Sequence, residues 1–298
     1  MAIKLGVDLG GTKTEIAALD GAGTVLLRRR RPTGQGYAAI VETIAALVRD
    51  AEAELGAKGT LGIGIPGSIN PQTGLVRNAN SQALNGQPLD KDLAAALGRE
   101  VRVMNDANCL AMSEAADGAG AGYPVVFAAI LGTGVGAGWV VNGRPLDGLN
   151  RVSGEWGHTP LPWMRPEEFP GPRCWCGQHG CLEAFLAGPS LAADTLGPGH
   201  RDAGLVEERA RSGDPICQAG LARHADRLAR ALGMVVNIMD PDVIVLGGGV
   251  SNFPHLYRDL PGMVGQWIFG DSKRVNIAKA RHGDSSGVFG AARLWDGG

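Results

Sequence analysis

The chain has few aromatic residues, few charges and no excess of either charge sign. Of its 298 residues, 5% are aromatic and 19% are charged, and the formal net charge is −2. Such a chain lacks the basic surface that attracts nucleic acid or anionic membranes, so we expect neither as a partner. It also lacks any apolar run near the roughly 20 residues of a membrane span, and it has no signal-peptide pattern. We therefore expect a cytoplasmic protein.

Cysteine is also scarce, with five residues in the chain. This number does not indicate a disulfide framework and is typical of a reducing compartment. Three of the five, Cys174, Cys176 and Cys181, lie within eight positions, with His158 upstream. Three thiolates and one imidazole suit a closed tetrahedral zinc site. The alternative is a group of unpaired buried cysteines.

Two carboxylates, Glu155 and Glu183, bracket this cluster. A filled structural zinc leaves no open position for chemistry. We therefore interpret the predicted metal as a clamp that holds Glu155, His158 and Glu183 so that they can bind something else. The alternative interpretation is that the two acids are ordinary surface residues.

The only basic cluster is a run of four arginines, Arg28–Arg31, between an apolar stretch and a proline. We interpret the run as the solvated end of a strand, in preference to a targeting or nucleic-acid signal.

Glycine, by contrast, is abundant, with 47 residues. Two segments read as strand, Gly-Thr turn and strand, and their threonines, Thr12 and Thr133, are about 121 positions apart. Glycine lets backbone N–H groups approach an anion closely, which suits a polyphosphate, although each turn alone could be a plain hairpin. A third glycine run follows a Val/Ile-rich strand, where α/β sheets bind ligands. The predicted ATP-binding residues are Gly6, Asp8, Gly10, Gly11, Thr12, Lys13, Gly132, Thr133, Gly134, Gly136, Gly247, Gly248 and Gly249.

Strand and helix patterns alternate along the chain, which predicts an α/β architecture with partly parallel sheets. We expect helices over 37–55, 90–97, 106–117 and 214–239, and buried strands over 61–65, 101–104 and 243–246. The glycine-rich stretch at 118–122 predicts the domain boundary. It divides the chain into an N-terminal domain of residues 1–118 and a larger C-terminal domain of residues 119–298, which carries the zinc motif.

Asn105 and Asp106 follow one of the predicted strands and begin a helix. An aspartate at this position often only caps the helix. Beside a phosphate-binding cleft, however, Asp106 is the best candidate for a general base that takes the proton of an attacking sugar hydroxyl. Acids and asparagines, without further lysines or arginines, suit a neutral polyol. The predicted substrate-binding residues are Gly67, Asn80, Asn105, Glu155, His158 and Glu183.

Taken together, these segments resemble the ROK family of bacterial sugar kinases and repressors. The resemblance covers nearly the whole chain and includes the Asp-Leu-Gly-Gly-Thr-Lys turn, the Asn-Asp pair and the cysteine motif. It implies a duplicated actin-like, ribonuclease-H-like fold with ATP in the cleft between two domains. It also implies that Asp106 is the base and that Glu155, His158 and Glu183 contact the sugar, with His158 also a zinc ligand. Asp8 is expected near Mg2+.

The loop at residues 67–88 is expected to select the sugar, and its Asn-Ala-Asn segment resembles the manno/fructokinase branch. The leading hypothesis is therefore ATP-dependent phosphorylation of the 6-hydroxyl of fructose, with mannose as a further substrate. The alternatives are an N-acetylglucosamine kinase or glucokinase and, from another class, a catalytically silent sugar sensor. Repressor members carry a winged helix before the first strand, which here begins at residue 3, so we expect no DNA binding. A homodimer is an open alternative to a monomer.

Overall fold

The computed structural model describes residues 2–283 and 286–296. The strands are β1 (Lys4–Leu9), β2 (Lys13–Leu19), β3 (Val25–Pro32), β4 (Thr60–Ile65), β5 (Ser68–Ile69), β6 (Val76–Arg77), β7 (Arg102–Asn105), β8 (Val125–Leu131), β9 (Val135–Val141), β10 (Arg144–Pro145), β11 (Val243–Gly247) and β12 (Ile277–Lys279). The helices are α1 (Tyr37–Leu55), α2 (Leu89–Leu97), α3 (Asp106–Asp117), α4 (Glu183–Leu186), α5 (Gly188–Leu196), α6 (Ala203–Arg211), α7 (Pro215–Met239), α8 (Pro254–Gly265) and α9 (Ser286–Ala292). Among the described helices, none is both long enough and apolar enough to cross a bilayer.

Two five-stranded sheets with the same topology form the framework. Their strand orders are β3-β2-β1-β4-β7 and β10-β9-β8-β11-β12. In each sheet the first three strands along the chain are antiparallel neighbours, and the later strands add in parallel. Each Gly-Thr turn joins the first two strands of its sheet. The duplication expected from these two turns is therefore confirmed.

Helices α3 and α9 lie between the two sheets. Side chains of α3, including Leu110, share one apolar cluster with Val126 of β8 and Ala291 of α9. Helix α9 also packs on β1 and β4 of the first sheet. This packing needs Gly6, because a Cβ at that position would overlap the carbonyl oxygen of Val288. The end of the chain therefore returns to the first sheet, a feature that a single division at residue 118 does not describe.

A buried carboxylate joins the two chain segments that cross between the sheets. Glu114 of α3 is fully buried, and one of its oxygens accepts a 2.8 Å hydrogen bond from the N–H of Ala119 in the first crossing. The same carboxylate accepts bonds of 3.0 Å from the N–H groups of Arg281 and His282 in the second crossing. Three backbone donors therefore converge on one carboxyl group, which fixes both crossings to the same helix.

The arginine run forms part of β3, at the edge of the first sheet. Arg28 and Arg30 both bind the carboxylate of Glu15 on β2, while Arg29 pairs with an acid of α1 at 3.0 Å. The run is thus a half-exposed strand whose charges are matched by neighbouring acids, in agreement with the sequence prediction of a solvated strand.

Candidate functional site

The first of two adjoining cavities opens at the carboxyl ends of the parallel strands and has a volume of about 440 Å³. Its walls come from the first glycine turn, the glycine run after β11 and the segment that leads into α9. This arrangement follows the general preference of open α/β sheets for ligands at strand ends. The lining residues include Asp8, Gly10, Gly11, Gly247, Gly248, Gly249, Lys279 and Gly287.

The second cavity has a volume of about 330 Å³ and is lined mainly by polar side chains. One wall is the loop after β4 with the start of α3, and the opposite wall is the second glycine turn with the cysteine motif. The lining residues include Gly67, Asn78, Asn80, Asn105, Asp106, Thr133, Gly134, Gly136, Glu155, His158, Trp175 and Glu183. All six predicted substrate-binding residues therefore line one cavity.

Asp106 lines both cavities, so it lies on the wall that they share. It is the first residue of α3, where Asn105 caps the helix by accepting a 2.9 Å bond from the N–H of Ala107. The side chain reaches solvent through the cleft but is surrounded by protein. Burial raises the pKa of Asp106 from 3.8 to about 6, and the negative charge of Glu155 contributes further to the rise. A carboxylate poised near neutral pH is a suitable proton acceptor.

Asp8 shows a similar electrostatic environment at the end of β1. Its pKa is raised from 3.8 to about 6, first by burial and then by the charges of Asp106 and Glu15, while Lys13 opposes the rise. Two carboxylates that disfavour each other's ionisation thus face the first cavity. A cation bound there would stabilise both in their charged forms.

The wall of the second cavity that is formed by the loop after β4 is held in place by backbone contacts. Gly67 has a positive φ of 86°, and a Cβ at this position would overlap the neighbouring chain. The carbonyl of Gly67 accepts a 3.2 Å hydrogen bond from Nδ2 of Asn105. Asn105 thus ties the loop after β4 to the start of α3, next to Asp106.

Three of the four asparagines in the loop at residues 67–88 have different roles, namely Asn78, Asn80 and Asn85. Asn85 uses both ends of its amide to bond the backbone of Ala79, at 2.9 Å each, so it closes the turn. Asn78 and Asn80 are exposed and line the second cavity. Asn78 and Asn80 are therefore in a position to contribute to the expected sugar selection by this loop, whereas Asn85 is a turn residue.

Glu183 begins α4 and is fixed by two donors. Its Oε2 accepts a 2.9 Å bond from the N–H of Val135, next to the second glycine turn. Its Oε1 accepts a 2.6 Å bond from the indole Nε1–H of Trp175. Trp175 was not among the predicted site residues, although its position between two clustered cysteines was a usable signal.

The four predicted metal ligands meet at one point. The donor atoms of His158, Cys174, Cys176 and Cys181 all lie within 4.8 Å of one another. His158 Nδ1 is 3.6 Å from the Cys174 sulfur, and the sulfurs of Cys176 and Cys181 are also 3.6 Å apart. Tetrahedral zinc with bonds of about 2.0–2.3 Å requires separations close to these. The geometry and donor chemistry both fit zinc.

Several predicted ATP-binding residues lie elsewhere. Gly6 is buried under α9, and Thr12 lines a separate groove beside Pro32. Thr133, Gly134 and Gly136 line the second cavity and not the first. Their turn directly follows β8, whose Ile130 borders both cavities, so the turn lies beside the first cavity as well. Lys279 at the end of β12 lines the first cavity but was not predicted, because no local motif marks that short strand.

Comparisons with known proteins agree with this geometry. The ROK family model matches residues 4–297. An N-acetyl-D-glucosamine kinase of Escherichia coli is 41% identical over 296 residues, which cover 97% of this chain and 98% of that protein. The ROK hexokinase of Thermus thermophilus superposes with a TM-score of 0.86 at 33% identity, covering 98% of this chain and 97% of that one.

A ROK family glucokinase from Streptomyces griseus, solved with glucose and AMPPNP, has a TM-score of 0.76 at 28% identity, and the match covers 98% of this chain and 99% of that one. The predicted family and the actin-like duplicated fold are thereby confirmed. The fructokinase branch is not confirmed, because Escherichia coli relatives that are 40–41% identical over nearly the whole chain are N-acetylglucosamine kinases, one of the alternatives. The chain belongs to the ROK family and is an ATP-dependent sugar kinase.

Proposed function

We propose that this kinase transfers the γ-phosphoryl group of ATP to the 6-hydroxyl of N-acetyl-D-glucosamine. The observation that carries this proposal is the position of Asp106 on the wall shared by the two cavities. A nucleotide in the glycine-lined cavity and a sugar in the polar cavity would meet at that carboxylate. The sugar itself is inferred from the relatives, whose 40–41% identity extends over nearly the full length of both chains.

In the proposed reaction, Asp106 accepts the proton of the sugar 6-hydroxyl as its oxygen attacks the γ-phosphorus. The bond from that phosphorus to the bridging oxygen breaks, and ADP leaves. Glu155, His158 and Glu183 bind the remaining hydroxyls, so the acceptor is held in one orientation. Because phosphoryl transfer needs mainly positioning and charge stabilisation, these contacts supply much of what the protein contributes.

Mg2+ fits the first cavity, because the Asp8 carboxylate faces it, and burial together with the negative charges of Asp106 and Glu15 raises the pKa of Asp8 to about 6. We assign Asp8 as the residue that would hold the ion, directly or through water. Bound there with the nucleotide, Mg2+ would neutralise phosphate charge. The backbone of Gly10, Gly11 and Gly247–Gly249 would approach the nucleotide from the two sides of the cavity.

Zinc fits the cluster of His158 and the three cysteines, and we assign it a structural role. The four protein ligands would occupy all four coordination positions of the zinc ion, so no position remains for a reacting water. Burial raises the pKa of the Cys181 thiol to about 12, so zinc binding would have to release protons and would strengthen as the pH rises.

Substrate choice is tested by measuring ADP release with N-acetylglucosamine, glucose, mannose and fructose under identical conditions. We expect the highest kcat/KM for N-acetylglucosamine. The product should be identified by NMR as the 6-phosphate. A preference for fructose would instead support the fructokinase branch, and a preference for glucose would support a glucokinase.

The activity should depend on pH through Asp106. The base must be deprotonated, and its pKa is raised from 3.8 to about 6. We therefore expect kcat/KM for the sugar to fall as the pH drops through about 6, rather than through about 4. Glu155→Gln should move this limb to lower pH, because it removes one of the charges that raise the pKa. A wild-type profile that stays flat down to pH 4.5 would contradict the assignment.

Loss of one metal ligand should weaken both the fold and sugar binding. In Cys176→Ser we expect less than one zinc per chain, a lower melting temperature and a sugar KM raised about 10-fold or more, because Trp175 and Glu183 lose their anchored loop. Elemental analysis, thermal denaturation and kinetics test this expectation. Cys217→Ser is the control, since that thiol is buried far along the chain in α7 and its bond to Asp214 can be kept by a hydroxyl. Active wild-type protein without zinc would refute the structural role.

A further inference from the structure

The second cavity, which we call the acceptor cavity because the proposed sugar binds there, is lined by one large aromatic side chain. Trp175 lies between two of the clustered cysteines and lines this cavity, yet 70% of its surface is exposed. Its ring meets the His158 ring edge to face, with centroids 4.9 Å apart at 89°. An exposed indole at the border of a ligand cavity presents apolar area that a bound molecule can cover.

The indole also has a polar contact that fixes its orientation. Its Nε1–H donates a 2.6 Å hydrogen bond to Oε1 of Glu183, whose other oxygen is held by the N–H of Val135 at 2.9 Å. Trp175 therefore holds Glu183 through its nitrogen and leaves its ring surface available. These are separate functions, and different substitutions can remove them one at a time.

The end of the acceptor that meets Trp175 follows from the position of Asp106. Asp106 lines both cavities, whereas Trp175, His158 and Glu183 line only the acceptor cavity. A sugar with its 6-hydroxyl at Asp106 directs the opposite edge, formed by carbons 1 and 2, away from the nucleotide and toward these residues. The 2-acetamido group lies on this edge, and its methyl is the only apolar group that N-acetylglucosamine has and glucose lacks.

We propose that Trp175 determines acceptor specificity: its ring covers the acetamido methyl, while its N–H positions Glu183. This inference rests on the proposed function, since it explains how the same cavity would prefer a 2-acetamido sugar to glucose. Desolvating one methyl and packing it on an aromatic ring corresponds to a preference of about fivefold to tenfold.

Two substitutions separate the functions of the residue. Trp175→Phe keeps an aromatic face but loses the N–H donor, and Trp175→Gln keeps a donor but loses the face. In Trp175→Phe we expect a severalfold higher KM for both sugars and an unchanged preference for N-acetylglucosamine. In Trp175→Gln we expect the ratio of kcat/KM for N-acetylglucosamine to that for glucose to fall at least about fivefold.

Zinc content and melting temperature, measured on both variants, show whether the loop is intact. Calorimetry without ATP gives the dissociation constants of the two sugars, and their ratio measures the preference in binding independently of turnover. An unchanged ratio in a folded, zinc-containing Trp175→Gln variant overturns the inference while leaving the proposed function standing. A wild type without any preference for N-acetylglucosamine over glucose overturns both.

Discussion

Asp106→Asn is expected to retain sugar and ATP binding and to lose turnover by about 10²–10⁴-fold. Asparagine has nearly the same shape as aspartate but does not accept the proton of the attacking hydroxyl. The substitution also removes a carboxyl group whose pKa is raised by burial to about 6. A raised pKa means that ionisation destabilises the folded state as the pH rises from 3.8 through about 6, so at neutral pH the variant should be at least as stable as the wild type.

Three measurements distinguish this result from simple misfolding. Calorimetry should give dissociation constants for sugar and nucleotide close to those of the wild type, and thermal denaturation should show no loss of stability. Single-turnover kinetics should locate the defect in phosphoryl transfer. Asn80→Ala serves as a comparison in the same cavity, with an expected increase mainly in sugar KM. Near-normal turnover of Asp106→Asn would refute the assignment of the base.

Arg230→Met is expected to destabilise the protein by about 3–5 kcal/mol, because it leaves Glu168 buried without its main partner. Arg230 is fully buried in α7, and its two terminal nitrogens lie 2.8 and 2.7 Å from the two Glu168 oxygens. It also donates a 2.9 Å bond to the carbonyl of Trp163. This arginine therefore fixes the loop that leads to the cysteine motif, where the N–H of Leu161 bonds the carbonyl of Gly180 at 2.9 Å.

Urea denaturation of matched variants tests this expectation. Arg223→Met is the control, because Arg223 lies on the same helix and pairs with Asp194 at 3.0 Å, but the two side chains are 45% and 32% exposed. We expect a cost of no more than about 1 kcal/mol for this exposed pair. Adding Glu168→Gln to Arg230→Met should recover part of the loss, since the buried charge that lost its main partner is then removed as well. Equal costs for Arg230→Met and Arg223→Met would contradict the prediction.

The effect of Arg230→Met should also depend on pH. Burial alone would raise the pKa of Glu168, but hydrogen bonds from Arg230, with further contributions from Arg165 and Arg227, lower it from 4.5 to about 2. A lowered pKa stabilises the fold above 4.5, and this contribution is lost as the pH falls toward about 2. The difference between wild type and Arg230→Met should therefore shrink in acid. A difference that stays constant between neutral pH and pH 3 would indicate that packing, rather than charge, causes the loss.

The local features of this protein were determined by its sequence. Helix and strand patterns depend on neighbouring residues, so helices α1, α3 and α7 and strands β4 and β11 were predicted to within one residue at each end. The cysteine spacing was equally informative, because ligands of one metal must come close together. The duplication was visible because the pattern of strand, Gly-Thr turn and strand occurs twice in the sequence.

Contacts between distant segments were decided only by the tertiary structure. Nothing local marks α9 as a helix of the first sheet; its place depends on the room that Gly6 leaves on β1 and on the convergence of both crossings at Glu114. The grouping of Trp175 with Glu183 likewise depends on how the cysteine loop folds back. The sequence therefore supplied the chemistry of the site through residue types and spacings, whereas packing between the sheets decided which of these residues share a cavity, because burial and close approach depend on the whole fold.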